Sequence, residues 1–490
     1  MRALLIIGAV ALRGWTRTRR RPTAGDGPAP PTRPRPQFVQ PGAVDDATRL
    51  SFRAWGLIGV PVLFCAIIGL RGLLWDGGRP AASTFDHLLV AFSATWMAPV
   101  AVTAVTVAGY LLFRRPEPPP RRLARLDVPV CFRIVARGDN VPAVQGTVRS
   151  IRATIAAVPA FPYSIEVVTD APVPLPPVPE ILPLVVPDGY RTLNGSLYKA
   201  RALQYAVEHS TLPDGAWIMH LDEESHVTRS VVLGISRAVA EEHGSASPRI
   251  GQGLILYHRN LEEDKLFGLA DSIRSGDDAG RFYVQHRLGV TLFGLHGSFI
   301  LVRNDIEKDI GFDVGPAGSV TEDAFWALQQ MALGRRCRWV DGVVVEQAPQ
   351  RLRDFLRQRR RWFVGLCQVV RRAPVPLRWR LPLGFSIAAW SVAWLGVLYT
   401  YVNLVTGLDT PTVVWLAGTF AFAVYVAQYL VGLRLNMDHR GIRGFWRRAR
   451  LYVLQVLLVP VFALMEASGI VYGIVKPESG FHVIEKQRNP

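Results

Sequence analysis

Residues 216–227 read AWIMHLDEESHV, an apolar run of Trp217, Ile218, Met219 and Leu221 that passes into Asp222, Glu223 and Glu224. Only His220 interrupts the apolar part. The pattern predicts a buried strand that delivers acidic groups to the carboxyl edge of a sheet, where open α/β sheets bind their ligands. Asp222 and Glu224 are two apart, so in extended chain they point the same way. Two hard oxygen ligands on one side suit Mg2+ or Mn2+ held jointly with a diphosphate. An acidic turn closing a strand is the other reading of the same residues.

Upstream and downstream, residues 128–350 alternate strand-like and helix-like runs, which predicts a mostly parallel sheet with crossover helices. VPVCFRIVARGDN supplies a first strand, YSIEVVTD a second ending at Asp170, and the proline-dense APVPLPPVPEILPLVVP a short third. TLNGSLYKARALQYAVEH then enters a helix carrying Lys199 and Arg201 before the opening stretch. Asp139, Asp170 and residues 222–224 thus fall at strand ends along one edge, the layout of a nucleotide-binding half-fold. Taken singly, Asp139 and Asp170 also suit turns, and Lys199 suits a solvated helix face. After GQGLILYHRN comes a long polar helix, then Gly297 and Ser298 ahead of an apolar strand. Small residues there let a substrate approach the backbone. Thr321, Glu322 and Asp323 open a helix, in which Ser319 and Glu322 match a capping box. Asp323 is the candidate for chemistry, provided it faces the sheet edge.

Around this domain the chain is membrane-like. Net charge is +17 over 490 residues, with only five Lys among the basic residues. Nucleic acid is a weak candidate partner, because the Arg clusters flank apolar stretches and so read as membrane-surface anchors and positive-inside signals. Residues 1–50 form a basic, Pro-rich disordered start, and residues 51–113 hold two apolar stretches (54–75 and 88–113) long enough to cross the hydrocarbon. A basic Pro-rich linker, 114–127, leads into the domain. Basic flanks before the first and after the second place that domain in the cytoplasm, at a plasma (inner) membrane. Residues 351–380 contain ten Arg and one Asp interleaved with Leu, Phe, Trp and Val, an amphipathic helical stretch suited to an anionic bilayer surface. Set beside the domain, it offers Gln358 and Arg361 to a diphosphate and Trp362 to a sugar ring. Residues 381–475 hold two or three further spans. Pro460 and Glu466 interrupt the last, favouring a re-entrant pair that keeps the tail, 476–490, beside the domain. Cys65, Cys131, Cys337 and Cys367 have no short spacing, so neither a zinc site nor a redox pair is indicated.

VVTD, LYKARAL, HLDEES, TED at 321–323 and QRRRW at 358–362 occur in the order found in family 2 glycosyltransferases. RFYVQHRLGVTLFGLHGSFILVRN, GFDVGPAGSVTEDAFWAL and DFLRQRRRWFVG further resemble the egghead-type branch, whose members include membrane β-1,4-mannosyltransferases acting on a glycolipid. The resemblance implies a nucleotide-sugar-binding, GT-A-like domain set between transmembrane helices. It implies that Asp170 and Lys199 contact the nucleotide of a donor such as GDP-mannose or a UDP-sugar. Asp222 and Glu224 hold Mg2+ or Mn2+ on the diphosphate, Asp323 is the general base, and Gln358 and Arg361 hold the leaving group. Trp362, with Gly297 and Ser298, lines the site of a lipid-linked or glycolipid acceptor. The expected activity is inverting sugar transfer with β linkage. A processive polysaccharide synthase and a silent, lipid-binding membrane scaffold are the alternatives.

Overall fold

The computed structural model describes residues 52–74, 77–114, 125–258 and 265–477. The expected N-terminal segment, most of the basic linker and residues 478–490 lie outside the described residues. The first apolar pair forms α1 (Val60–Leu74), α2 (Thr84–Ser93) and α3 (Val100–Leu112). The polar domain then runs β1 (Val130–Ala136), α4 (Val141–Ala157), β2 (Tyr163–Thr169), β3 (Ile181–Val185), α5 (Tyr198–His209), β4 (Trp217–Asp222), β5 (His226–Val227) and α6 (Arg229–Glu242). It continues with β6 (Ile250–Leu256), α7 (Ser272–Asp277), β7 (Ile300–Arg303), α8 (Glu322–Ala332), β8 (Cys337–Val345) and the Arg-rich α9 (Leu352–Arg372). Three long helices close the described chain: α10 (Leu377–Thr406), α11 (Thr412–His439) and α12 (Phe445–Val475).

The eight strands make one sheet in the order β3-β2-β1-β4-β7-β6-β8-β5. Strands β3, β2, β1 and β4 are parallel, β7 runs antiparallel to both its neighbours, and β6 is parallel to β8. The carboxyl ends of β1, β2, β4, β6 and β8 therefore share one edge with the amino end of β7. Alternation along each strand feeds two cores, as in sheets covered on both faces. Phe132, Trp217, Met219 and Leu221 pack under Val144, Val148, Ile151 and Ile155 of α4. Val135, Val168 and Ile218 pack on the other face with Leu203 and Trp326. The interruption at His220 has a structural cause. Glu166, Arg133 and His220 stand in register across β2, β1 and β4. Arg133 pairs with Glu166 and Glu307, and His220 Nε2 lies 2.5 Å from Glu307 Oε2. A buried charge persists only when paired and hydrogen-bonded, so this polar row stays intact inside the sheet.

Among the described residues, five helices are long and apolar enough to cross a membrane: Trp55–Leu73, Thr84–Leu112, Leu377–Thr406, Thr412–His439 and Phe445–Val475. The turns of the first two helical hairpins meet. Arg79 N donates to Gly407 O at 2.8 Å and Asp409 N donates to Arg79 O at 2.8 Å, while Arg79 also pairs with Asp86 at 2.7 Å. The last apolar stretch is one unbroken helix rather than a re-entrant pair. Pro460 is accommodated within it, and Glu466 is paired with Arg359 at 2.7 Å, so neither residue needs a break. Its end stays beside α9, where Arg360 Nε donates to Lys476 O at 2.7 Å.

The long polar helix expected after β6 is present but irregular: Lys265–Ala270 and Ser272–Asp277 are α-helical, Asp278–Phe282 is a π-helical turn kinked at Gly280, and Tyr283–Leu288 is α-helical again. Close contact with the apolar helices accompanies the kink, since a side chain at Gly109 would collide with the Gly280 carbonyl. A side chain at Gly276 would collide with the Gln428 carbonyl, and one at Gly432 with that of Ser272. Small residues let backbones approach this closely. The segment thereby joins the sheet to α11: Ser275 Oγ donates to Ile255 O at 2.9 Å and accepts from Asn436 Nδ2 at 3.5 Å.

Candidate active site

The carboxyl edge of β4 collects the acidic residues. Carboxylate oxygens of Asp222, Glu224 and Glu346 lie within 4.8 Å of one another. Glu346 follows β8, and it reaches Glu224 because β5 turns back antiparallel onto the end of β8, pairing His226 with Val345. Ser225 Oγ donates to Glu346 Oε1 at 3.3 Å and lies 3.1 Å from Ser298 Oγ. Oxygen ligands around an octahedral Mg2+ stand about 3–4.2 Å apart, given bonds of about 2.1 Å. The three carboxylates fit such an ion with little movement, and all are hard oxygen donors. Burial, then the charges of Asp222 and Glu224, push the Glu346 carboxyl up to about 7. Clustered carboxylates repel one another in this way until a cation joins them.

Lys199 lies between this cluster and a second acidic pair. Its Nζ donates to Asp222 Oδ1 at 2.5 Å and to Gly297 O at 2.9 Å, and Glu322 Oε1 is 3.8 Å away. Burial alone would lower its affinity for a proton, but Asp222 and Glu322 raise it well above the usual lysine range. Asp323 lies beside it: a Cβ added at Gly297 would be 3.0 Å from Asp323 Oδ2 and 3.1 Å from Lys199 Nζ. Burial raises the Asp323 carboxyl, against the pull of Lys199. Glu322, 5% exposed, is raised to about 7 by burial and by the charge of Asp323. The expected capping box does not form. Thr321 is the residue before the helix, and Ser319 Oγ accepts from Leu197 N at 2.8 Å and donates to Gly315 O at 2.7 Å. Glu322 is released to face Lys199.

Two residues with left-handed backbone bracket the site, Tyr198 at φ 53° beside Lys199 and Phe299 at φ 58° beside Ser298. Such conformations are costly for bulky side chains and persist where surrounding structure enforces them. Here they turn Lys199 and Ser298 towards the carboxylates. His296 stands next to Gly297 with Nε2 2.6 Å from Asp278 Oδ1, and Ile255 N donates to Asp278 Oδ2 at 3.1 Å. Burial would lower the imidazole, yet Asp278 prevails and raises it above the ordinary histidine value.

The chain matches the Glycosyl transferase family group 2 over residues 217–433. It is 32% identical over 360 residues to "Beta-1,4-mannosyltransferase egh" of Drosophila melanogaster, covering 73% of this chain and 78% of that protein. The chain belongs to the family 2 glycosyltransferases, in their egghead-type branch. "Beta-1,4-mannosyltransferase bre-3" of Caenorhabditis elegans is 29% identical over the same shares. Among solved structures, the mannosyltransferase PcManGT from Pyrobaculum calidifontis, in complex with GDP-Man and Mn2+, aligns at 14% identity and a TM-score of 0.44, covering 80% of this chain and 100% of that one.

In this glycosyltransferase the mostly parallel sheet brings Lys199, Asp222, Glu224, Gly297 and Asp323 together. Arg361 joins them electrostatically, its charge acting on both Glu322 and Asp323. Asp170 stands apart, two strands along the same edge, where Arg201 Nη2 donates to its Oδ1 at 2.6 Å. Asp139, on the next strand end, is an exposed partner of Arg137 at 3.8 Å. Ser298 is buried, and its hydroxyl faces Ser225 and Glu346 rather than an open groove. Gly297 makes room first for protein groups, Asp323 and Lys199. Gln358 Oε1 accepts from Arg359 Nη1 at 2.5 Å. The Trp362 ring has the Arg274 and Arg359 guanidinium groups 4.7 and 4.6 Å from its centre. Sequence reasoning missed Glu346 and the part played by Glu322. The signal for Glu346 was present: VVVE ends a strand in a carboxylate just as HLDEE does.

Proposed function

We propose that this glycosyltransferase moves a hexose, mannose by analogy with its relatives, from a nucleoside-diphosphate sugar to a lipid-linked acceptor at the membrane surface, with inversion. One observation carries the reading: Asp222, Glu224, Glu346, Lys199, Asp323 and the charge of Arg361 meet at one sheet edge beside apolar helices. Asp222, Glu224 and Glu346 would hold Mg2+ or Mn2+, which when bound offsets charge on the departing diphosphate. Lys199 keeps Asp222 oriented and adds positive charge beside the phosphates. Asp323 takes the proton of the acceptor hydroxyl, reaching it at about 2.6–3.2 Å or through one water. A carboxylate suffices because that proton leaves only as the new sugar–oxygen bond forms. Arg361 and Gln358 bind the leaving diphosphate, and Trp362 forms part of the wall beside it. Asp170, held by Arg201, would contact the nucleoside of the donor.

The test uses membranes containing the full chain, GDP-mannose and UDP-sugars in turn, and mass analysis of extracted lipids. A single-hexose addition to a lipid, lost in Asp323→Asn together with nucleoside diphosphate release, supports the assignment. Unchanged release in Asp323→Asn removes it as the base, and long polymer among the products replaces single addition by processive synthesis.

A further inference from the structure

Arg359 lies one residue from Gln358, yet its partners reach far across the chain. Nε donates to Glu466 Oε1 at 2.7 Å, Nη2 to Asp271 Oδ1 at 2.7 Å and Nη1 to Gln358 Oε1 at 2.5 Å. The side chain is 2% exposed, and its guanidinium lies 4.1 Å from the centre of the Phe355 ring besides stacking on Trp362. Asp271 is fully buried and also faces Arg274 at 3.6 Å. Glu466 stands in the second half of α12, and three residues on a Cβ at Gly469 would be 2.6 Å from Arg359 Cβ. The apolar helix therefore presses directly on the Arg-rich one.

A planar guanidinium held at three nitrogens has a fixed plane as well as a fixed position. Asp271 is shared between Arg359 and Arg274, so Glu466 supplies the second carboxylate. Glu466 adds the contact at Nε that stops the plane from turning. The consequence falls on Gln358, whose amide has one accepting and one donating end. Arg359 can only donate, so it takes the oxygen and turns the NH2 away from itself. A phosphate oxygen needs that donating end; the reversed amide would present a lone pair to an anion.

We infer that Glu466, on the last apolar helix, is a positioning residue for the donor site: through Arg359 it holds the Gln358 amide with its NH2 towards the diphosphate and keeps Trp362 in place. This rests on the reading of Gln358 as a diphosphate ligand. It makes one side of the donor site depend on a helix long and apolar enough to cross the membrane.

The test is a binding cycle on full-length protein in lipid nanodiscs, with Mn2+ present and GDP and UDP as probes. Glu466→Gln keeps the shape of the side chain and removes its charge, and is expected to weaken binding of the preferred nucleotide about tenfold, the order of one charge-assisted hydrogen bond. In a Gln358→Ala background the same change should add less than twofold. Arg359→Lys, which keeps the charge but loses the fork, should weaken binding similarly and serves if Glu466→Gln does not fold. Equal losses in both backgrounds, or lower thermal stability with unchanged nucleotide affinity, overturn the inference and leave Glu466 a packing residue. Wild-type protein that binds neither nucleotide overturns the donor-site reading itself.

Discussion

Replacing Gly297 by Ala tests the geometry of the base directly. The added methyl would lie 3.0 Å from Asp323 Oδ2 and 3.1 Å from Lys199 Nζ. Both distances are a few tenths of an ångström inside ordinary van der Waals contact, so the carboxylate or the ammonium must move. Gly297 is not among the glycines with left-handed backbone, so alanine carries no dihedral penalty there. Lys199 is held by Asp222 and by the Gly297 carbonyl, whereas Asp323 Oδ1 accepts from the first-turn amide of Ala324 at 2.7 Å. Asp323 is therefore the group that yields. Misplacing a reacting group by 1 Å costs about 100-fold in rate, so a displacement of a few tenths should cost roughly fivefold. Overpacking would add about 1–3 kcal/mol of destabilisation if nothing could move, and less here because a side chain can. The assay is steady-state nucleoside diphosphate release at saturating Mn2+ and donor, with a melting curve on the same preparation. The expected result is a kcat about five times lower, donor KM within about twofold and a nearly unchanged Tm. Wild-type kcat in Gly297→Ala would refute the placement of Asp323 at the reacting hydroxyl. A lost donor affinity with normal kcat would move the effect to Lys199 instead.

Glu346→Gln and Asp222→Ala should each raise the Mn2+ concentration needed for half-maximal turnover by at least about tenfold, the least that weaker perturbations of metal sites cost; a metal titration of initial rates would show it. Acidification should abolish turnover at a pH above that of an ordinary carboxylate. The base acts only as carboxylate, burial raises Asp323, and Glu322 beside it is pushed up to about 7. In Glu322→Gln the acid limb of the pH–rate profile should move to lower pH, because Asp323 loses the carboxylate whose charge is coupled to its own. Arg133→Met leaves Glu166 and Glu307 buried without their cation, and breaking such a pair costs about 3–5 kcal/mol. Denaturation of the variant should show a loss of that order, with activity falling only in proportion to folded protein.

How far the sequence discloses this site depends on whether a residue's role is set by its own strand or by a distant one. Asp222 and Glu224 are legible because an apolar run ending in carboxylates fixes both the strand and the edge it reaches. Glu346 carries the same signature in VVVE, but its value as a ligand appears only when β5 folds back on β8, a pairing of two residues that no local pattern announces. Glu322 was obscured by a plausible local alternative. Ser319 matched a capping box, and only the tertiary contact with Leu197 draws its hydroxyl away. His220 and Glu466 were visible as polar interruptions in apolar runs, and in both cases the partner that explains them lies at least 87 positions away. Burying a charge is tolerated only with a partner, so each such interruption implies a long-range contact whose far end the local sequence does not name. The long apolar helices thus bear on the domain directly. One of them, α11, meets α7 backbone to backbone at Gly432 and Gly276, and another, α12, meets α9 through Glu466 and Arg359, so a change in the packing of α12 reaches Gln358 and Trp362 through the Arg359 fork.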